Sequence, residues 1–338
     1  MSLRLEVRSQ DMENQEAPSP SPAGGGGLGG GSKRRIAFFG SPAWAVPVLE
    51  ALHQHHDVLL VVTQPDKPAG RGLKLTECPV AQRANQLGLR LLKPKKLKGN
   101  EEFLAALTSL NLDAAVTAAY GKLIPAEVLD VPHFGFLNLH PSLLPKYRGA
   151  APVQRTLING ETETGVTIMK TDAGMDTGPI ISQWRTAVLP DEDAVQLSER
   201  LRDKGTEMLL EAMDSLERLA FAPQPSQGTL APLLSKEDGR IRWTDSSNEI
   251  YNRYRGVQPW PGSWFLHQGK RVKVLALRPT EGRGHPGEVI GLGSETVDVA
   301  TRAGAVQLKV VQPEGRQTMP AASWARGQRL AAGTLLTS

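Results

Sequence analysis

Apolar runs of strand length alternate with amphipathic segments in the first part of the chain. The runs lie at residues 35–40, 58–63, 89–92, 114–119 and 135–140. The segments between them that carry apolar residues at helical spacing are 45–52, 81–87 and 101–110. Strands that alternate with helices of about ten residues are typical of βαβ units. The pattern therefore predicts an α/β domain with a Rossmann-like, mostly parallel sheet.

The character of the chain changes after a long amphipathic helix that we predict at residues 194–219. A polar stretch with Gly and Pro follows the helix as far as Gly239, and we interpret it as a linker. Beyond it, short β-rich runs are separated by Gly-containing turns and lie at 271–277, 287–292, 296–301 and 305–312. Strands at this spacing predict a small OB-like β-barrel.

These boundaries divide the chain into four parts. Residues 1–33 form a low-complexity tail that we expect to be disordered, because its Pro/Ser and Gly runs offer little to bury. The α/β domain is expected at 34–220, the linker at 221–239 and the small β domain at 240–334. The tail lacks the apolar segment of a secretory signal, and its acidic residues argue against a mitochondrial transit peptide. We therefore expect a bacterial cytoplasm, with the mitochondrial matrix as the alternative.

Positive charge is concentrated in the predicted small β domain. From Arg240 onward the chain has 14 Lys and Arg against 7 Asp and Glu, a balance of +7, whereas the remainder has 25 against 28, a balance of −3. A small basic module beside a nearly neutral one suggests a polyanion partner. A basic face that serves only solubility is the alternative.

Several classes of site are disfavoured by the sequence. The single cysteine, Cys78, excludes an intrachain disulfide and a Cys-rich zinc site. No apolar run approaches the roughly 20 residues that a membrane span needs. The first predicted turn has only Gly40 before Ser41 and Pro42 and lacks the G-x-G-x-x-G pattern, which argues against a dinucleotide cofactor.

The strand predicted at 135–140 carries two polar side chains on one face. Asn138 and His140 are two residues apart, so an amide and an imidazole lie side by side at the C-terminal end of a parallel strand, where α/β sheets bind ligands. Alone, the pair also fits two polar residues that cap a strand end. A second segment, 171–178, has two glycines that allow a tight loop, which would bring Asp176 back toward the strand ends.

Together these residues resemble the formyltransferase family that uses 10-formyltetrahydrofolate, whose hallmark is an Asn, a His and an Asp around a folate cleft. Five further stretches make the resemblance specific to the methionyl-tRNA formyltransferases of that family. They are 64–72 (QPDKPAGRG), 119–125 (AYGKLIP), 147–154 (YRGAAPVQ), 163–169 (ETGVTIM) and 234–241 (LSKEDGRI). The similarity covers roughly residues 34 to 330, and Trp44 departs from it where a Phe is commoner.

The resemblance implies that Asn138, His140 and Asp176 are the catalytic residues. The amine of an aminoacyl-tRNA would attack the formyl carbon, and Asn138 with His140 would stabilise the oxyanion that forms. His140 would also transfer the proton that the amine loses, while Asp176 orients the imidazole. The sequence leaves open whether His140 or Asp176 is the immediate base.

The resemblance also implies a donor and an acceptor. The donor is 10-formyltetrahydrofolate, and its site is expected at Ser142, Leu143, Leu144 and Pro145, with backbone near 120–124. The acceptor is initiator methionyl-tRNA, and its expected contacts are Lys67, Arg71 and Lys74, with Arg71 as the principal residue. A solvated surface loop is the alternative for this basic segment. We expect the small basic domain to bind tRNA phosphates, and we expect a monomer without a metal and without a membrane association.

Three rival functions remain. A relative that formylates a smaller acceptor, or a hydrolase that releases formate, would keep Asn138, His140 and Asp176 but would not need Arg71 and the basic domain. A non-catalytic tRNA-binding protein would not need the three polar residues. The basic run 93–98 has no assigned role.

Overall fold

The computed structural model describes residues 33–69 and 74–336. Apart from Lys33, the tail that we predict to be disordered lies outside the described residues. Fifteen strands occur in the described part. They are β1 (Arg35–Gly40), β2 (Asp57–Val62), β3 (Lys67–Ala69), β4 (Lys74–Thr76), β5 (Leu91–Leu92), β6 (Ala114–Ala118), β7 (Phe136–His140), β8 (Glu163–Lys170), β9 (Ile180–Ala187), β10 (Ser263–His267), β11 (Lys270–Thr280), β12 (Val289–Leu292), β13 (Val297–Ala300), β14 (Ala305–Pro313) and β15 (Met319–Pro320).

Eight α-helices accompany these strands within the described ranges. They are α1 (Val46–His55), α2 (Pro79–Gln86), α3 (Glu101–Thr108), α4 (Ala126–Leu129), α5 (Pro152–Ile158), α6 (Ala194–Asp214), α7 (Ser247–Gly256) and α8 (Ala321–Gly327). The long helix α6 begins with a capping box, in which Asp193 accepts hydrogen bonds from the N–H groups of Val195 and Gln196. It ends at Asp214, five residues before the predicted end, and a short 3₁₀ turn completes the segment.

The first sheet has the strand order β5-β2-β1-β6-β7-β8-β9. The pairings from β5 to β7 are parallel, whereas β8 and β9 pair antiparallel. The inner strands are buried on both faces, because alternate residues of β1 belong to different cores: Ile36 and Phe38 to one, Ala37 and Phe39 to the other. This explains why β1 is a continuous apolar run. The prediction of a Rossmann-like, mostly parallel sheet is confirmed.

The second sheet is antiparallel and lies in the C-terminal part of the chain. Its order is β10-β11-β14-β13-β12, and β15 pairs with β14. The inward residues of these strands, α7 and α8 form a separate core that includes Phe265, Val274, Leu308 and Trp324. The expected small barrel-like domain is confirmed, and it contains two strands, β10 and β15, that we did not predict.

The two sheets are joined by direct contacts between their helices and loops. Arg255 on α7 is buried, and its guanidinium donates hydrogen bonds to the backbone oxygens of Leu189 (3.2 Å) and Glu192 (3.0 Å), just before α6. Tyr251, also on α7, donates to Asp191 at 2.7 Å. These contacts place the second domain against the loop that follows β9.

The segment predicted to be a linker, 221–239, lies along the first domain. Ala222 forms a bridge with Ile180 at the start of β9, and Leu230 forms a bridge with Arg148 in the loop after β7. The domain boundaries stay a prediction, but this segment contributes to the surroundings of the site described next.

Candidate active site

Asn138 lies in the middle of β7, and a hydroxyl group on the neighbouring strand orients its amide. Thr117 on β6 stands beside Asn138 in the parallel register, and its Oγ1 donates a hydrogen bond to Asn138 Oδ1 at 2.8 Å. The amide oxygen is thereby occupied, and none of the described residues accepts a hydrogen bond from Asn138 Nδ2. Within the described part of the chain, both N–H donors of Asn138 are therefore without a protein acceptor.

His140 ends β7 and is 4% exposed. Its Nε2 lies 3.0 Å from the backbone oxygen of Tyr147. Because a carbonyl oxygen only accepts hydrogen bonds, Nε2 carries a hydrogen, and proton exchange during a reaction falls to Nδ1. Nδ1 lies 3.6 Å from Asp176 Oδ2, so the structure brings together the imidazole and the carboxylate that the sequence predicts.

Asp176 lies in the loop between β8 and β9 and has a φ of 54°. This left-handed conformation is uncommon for residues other than glycine, although Asp adopts it more readily than most. Asp176 Oδ2 accepts a hydrogen bond from the backbone N–H of Gly149 at 2.8 Å. The same oxygen therefore faces both Gly149 N and His140 Nδ1, which fixes the position of the negative charge.

The loop that supplies these backbone contacts is itself tightly held. Tyr147 has a φ of 63°, and its hydroxyl donates to Glu161 at 2.8 Å. Burial raises the pKa of Tyr147 to about 12, so its hydroxyl remains a neutral donor at physiological pH. Gly149 has a φ of 118°, and a Cβ at this position would lie 2.9 Å from the backbone oxygen of Ala231. Only glycine fits here without displacing the chain.

The turn 142–145, predicted to contact folate, is braced by two side chains of the neighbouring strands. Thr167 on β8 donates to the backbone oxygen of Ser142 at 2.7 Å and accepts from Leu144 N at 3.1 Å. Gln183 on β9 donates to the backbone oxygen of Leu144 at 2.8 Å. These three backbone groups are thus already paired within the protein. Leu144 is buried and Leu143 is half-buried, so Leu143 is the leucine with more surface available to a ligand.

A cavity of about 230 Å³ lies beside this turn and contacts its residues Leu143, Leu144 and Pro145. Charged residues also line it, among them Glu161 and Arg185. None of Asn138, His140 and Asp176 lines this cavity, so it is not the place where the three groups meet.

Of the residues predicted to contact tRNA, only Lys67 has a described side chain. Lys67 is exposed, and its Nζ donates to Gln64 Oε1 at 2.9 Å. Arg71 lies outside the described residues, and so does the side chain of Lys74, whose backbone begins β4. β3 and β4 pair antiparallel as a hairpin, so Lys67 and Lys74 belong to its two opposite strands.

Lys93, in the basic run without an assigned role, binds the two residues at the base of this hairpin, where the chain enters and leaves it. Its Nζ donates to Asp66 Oδ1 at 2.7 Å and to Glu77 Oε1 at 2.7 Å. Burial would lower the pKa of Lys93, but the hydrogen bonds to Asp66 and Glu77 outweigh it and the pKa is raised. The charged lysine therefore joins the residue before β3 to the residue after β4.

Sequence reasoning missed the residues that hold Asn138 and the turn 142–145 in place. Thr117, Thr167 and Gln183 come from strands other than β7, and no local pattern distinguishes them from ordinary strand residues. Their importance appears only once the strand register is known. Lys93 was visible as part of a basic run, but its partners, on either side of the hairpin, were not.

The described residues hold no group of three or more His, Cys, Asp or Glu side chains that could bind a metal ion. In the same part of the chain, no helix is both long and apolar enough to cross a membrane.

Comparison with known families and relatives agrees with the geometry. Residues 34–213 match the formyl transferase family, and residues 233–329 match the formyl transferase C-terminal domain. The methionyl-tRNA formyltransferase of Thermus thermophilus is 59% identical over 302 residues, which cover 89% of this chain and 99% of the relative. That of Deinococcus radiodurans is 51% identical over 88% of this chain and 94% of the relative.

Solved structures with lower identity share the fold. HypX from Aquifex aeolicus in complex with tetrahydrofolic acid has a TM-score of 0.58 and 19% identity, covering 91% of this chain and 51% of its own, so our chain spans about half of its length. The sugar 3N-formyl transferase WlaRD has a TM-score of 0.61 and 16% identity, covering 85% of this chain and 100% of its own. From the matched domains and the Thermus and Deinococcus relatives, we conclude that the chain belongs to the formyl transferase family, among its methionyl-tRNA formyltransferases.

Proposed function

We propose that this chain transfers the formyl group of 10-formyltetrahydrofolate to the α-amino group of methionyl-initiator-tRNA, giving formylmethionyl-tRNA for translation initiation. The observation that carries the proposal is the meeting of three groups at the end of β7. His140 Nδ1 lies 3.6 Å from Asp176 Oδ2, and the amide donors of Asn138 lie two residues earlier on the same strand. An imidazole, a carboxylate and an amide are the groups that acyl transfer to an amine requires.

In the proposed reaction the neutral amine attacks the formyl carbon, and the carbonyl oxygen becomes an oxyanion. Asn138 Nδ2–H donates a hydrogen bond to this oxygen, because Oδ1 is already engaged by Thr117. Since Nε2 carries the hydrogen that faces Tyr147, the lone pair of His140 Nδ1 accepts the proton that the amine loses, and the resulting Nδ1–H supports the oxyanion until the proton passes to N10. The amine nitrogen loses a proton, the bond between the formyl carbon and N10 breaks, and N10 gains a proton. The products are the formylated amine and tetrahydrofolate.

Asp176 has an orienting and electrostatic role in this scheme. Its Oδ2 is fixed by Gly149 N and faces Nδ1 at 3.6 Å, so the carboxylate stabilises the positive charge that the ring acquires when Nδ1 takes up a proton. This arrangement supports His140 as the group that exchanges protons, with Asp176 acting through it. The folate is proposed to lie next to Ser142, Leu143, Leu144 and Pro145, with Leu143 offering apolar surface.

The tRNA is proposed to contact two separate basic regions. One is the segment that carries Lys67, Arg71 and Lys74. Lys67 is exposed, so its charge is accessible to a macromolecular partner. The other is the C-terminal domain from Arg240 onward, with its balance of +7. The domain division at 34–220, 221–239 and 240–334 is part of the proposal, with catalysis in the first domain and phosphate contacts in the last.

The relatives named above are bacterial, and a bacterial cytoplasm is the compartment we propose. A monomer is the proposed active form, because one copy of the chain supplies all three groups of the site.

An acceptor comparison tests the proposed function. The protein is incubated with 10-formyltetrahydrofolate and with charged initiator tRNA, charged elongator methionyl-tRNA or free methionine, and formyl-methionine is measured. We expect product with charged initiator tRNA only. His140→Ala should lower kcat by a factor on the order of 10²–10³ while tRNA binding is retained.

The rival functions give different results in the same assay. Formylation of free methionine would indicate an enzyme for small acceptors, and release of formate without an acceptor would indicate a hydrolase. Binding of charged tRNA without any transfer would indicate a non-catalytic protein. A wild-type rate for His140→Ala would refute the role given to the imidazole.

A further inference from the structure

The segment 222–231, which we call the strap, crosses the loops that carry the candidate active site. At its start, Ala222 and Ile180 exchange two backbone hydrogen bonds of 2.8 Å, beside the Asp176 loop. At its end, Thr229 O accepts from Arg148 N at 2.8 Å, and Ala231 N donates to Arg148 O at 2.7 Å. The strap therefore touches the loop of Asp176 with one end and the loop of Gly149 with the other.

Gln224 is the strap residue whose side chain reaches the Asp176 loop. Its Nε2 donates to the backbone oxygen of Asp176 at 3.0 Å and to that of Gly178 at 2.6 Å. Its Oε1 accepts from Nη2 of Arg148 at 2.8 Å and from Nε of Arg148 at 3.2 Å. The partners determine the orientation of the amide, since a guanidinium only donates and backbone oxygens only accept.

Arg148 makes this arrangement rigid. It is 8% exposed, and its Nη2 also donates to the backbone oxygen of Pro225 at 2.9 Å. Gln224 thus connects the main-chain oxygen of Asp176 to Arg148. Arg148 precedes Gly149, whose N–H binds the carboxylate of Asp176.

We propose that Gln224 is a positioning residue, which holds the main chain of Asp176 so that its carboxylate stays opposite His140 Nδ1. The inference rests on the role given to Asp176 in the proposed function. The main chain of Asp176 needs such support, because its φ of 54° is a sparsely populated conformation that persists only where the surroundings hold it. Without the two hydrogen bonds from Gln224, the loop is expected to relax and to carry the carboxylate away from the imidazole.

Gln224→Glu tests the inference, because it keeps an acceptor for Arg148 and removes both donors to the Asp176 loop. We expect kcat to fall by up to about 100-fold, since a displacement near 1 Å at a reacting centre costs that much. KM for folate and for charged tRNA should remain unchanged, because Gln224 is not among the residues that we propose to bind either of them. The matched control is Gln227→Glu, which places the same charge at an exposed position of the strap and should keep the wild-type kcat.

A second variant separates the loss of donors from the added charge. Gln224→Met removes the amide without introducing a carboxylate, and it should reproduce the fall in kcat. The melting temperature and the folate affinity of each variant establish that it is folded. Folded Gln224→Glu and Gln224→Met proteins that both keep the kcat of Gln227→Glu would overturn the inference.

The double variant with Asp176→Asn distinguishes failure of the inference from failure of the proposed function. If Gln224 acts through Asp176, then Gln224→Met should lower kcat little further once Asp176→Asn has been made. Fully additive losses would show that Gln224 acts by another route and would overturn the inference alone. A wild-type kcat for Asp176→Asn would refute the proposed role of Asp176, and the inference with it.

Discussion

Thr117 and Asn138 sit side by side on neighbouring strands, and the hydroxyl of the first determines what the amide of the second can do. The side-chain amide of Asn has one acceptor oxygen and two N–H donors, and a ligand carbonyl oxygen can form hydrogen bonds only with the donors. The hydrogen bond of 2.8 Å from Thr117 Oγ1 occupies the acceptor. The hydroxyl of Thr117, which has no proposed role in the reaction itself, therefore determines the orientation of the Asn138 amide.

We predict that Thr117→Val lowers kcat about tenfold, because losing a hydrogen bond of roughly 0.5–1.5 kcal/mol lets the amide rotate. Single-turnover formyl transfer measures the effect. Thr156→Val is the matched control, since Thr156 is also buried and its Oγ1 has no hydrogen-bond partner among the described residues. An equal loss in both variants would mean that the orientation of Asn138 does not matter.

The chemical residues of the site could be predicted, but their supports could not. Asn138 and His140 were found because they lie two apart on a strand, which is a local property of the sequence. Asp176 was found through its glycine-containing loop and the family resemblance. Gln224 lies 48 positions after Asp176, and its contact depends on the path of a segment that sequence patterns describe only as polar and irregular.

At the scale of elements, Lys93 links the two residues that flank the hairpin β3–β4. Lys93 Nζ reaches both Asp66 and Glu77, and its side chain is only 23% exposed. An exposed ion pair contributes little, but one partly buried lysine between two carboxylates also prevents their repulsion. Lys93 therefore contributes to holding both flanks of the hairpin in place.

We predict that Lys93→Met raises KM for charged initiator tRNA about tenfold, the equivalent of ~1.4 kcal/mol, because the hairpin with Lys67 loses its anchor. The affinity for folate, measured by fluorescence quenching, should not change. Lys93→Arg should restore most of the loss. Lys98→Met, an exposed residue of the same basic run, serves as the control for simple loss of charge. A similar KM for Lys98→Met and Lys93→Met would contradict the anchoring role.

Strands with a continuous apolar sequence were easier to predict than those at the edge. β1 and β6 are buried on both faces, and their sequences carry that signal directly. β9 lies at the end of the sheet, and its positions are half-buried or exposed along its whole length. A half-polar strand such as β9 resembles a loop in sequence, and only its pairing with β8 identifies it.

The described part of the molecule has three hydrophobic cores, two in the first domain and one in the second, and each domain has a buried histidine outside the candidate site. His56 follows α1 and is 3% exposed, and neither of its ring nitrogens has a hydrogen-bond partner within the described ranges. His267 ends β10 and contacts the ring of Trp324. Burial lowers the pKa of both histidines below the ordinary value of 6.5. At His56 the charges of Arg34 and His55 lower it further, and those of Asp57 and Asp214 oppose the shift.

We predict that the free energy of unfolding decreases as the pH falls from about 7 to 5. Because the folded pKa of each histidine is depressed, the unfolded chain binds protons more readily there, so stability is complete above pH 6.5 and is lost below it. Urea unfolding at several pH values measures this dependence. His56→Leu and His267→Leu should each flatten it, whereas the exposed His133→Gln should not. A slope unchanged in the double variant would contradict the prediction.

The position of the strap has a practical consequence for dividing the protein. The match to the first family domain ends at residue 213, whereas the groups that support Asp176 are supplied by residues 222–231. A fragment that ends at residue 213 would retain Asn138, His140 and Asp176. It would lose Gln224, which donates hydrogen bonds to the backbone oxygens of Asp176 and Gly178. On the proposed role of Gln224, we therefore expect that a fragment which keeps this centre intact must extend at least as far as Ala231.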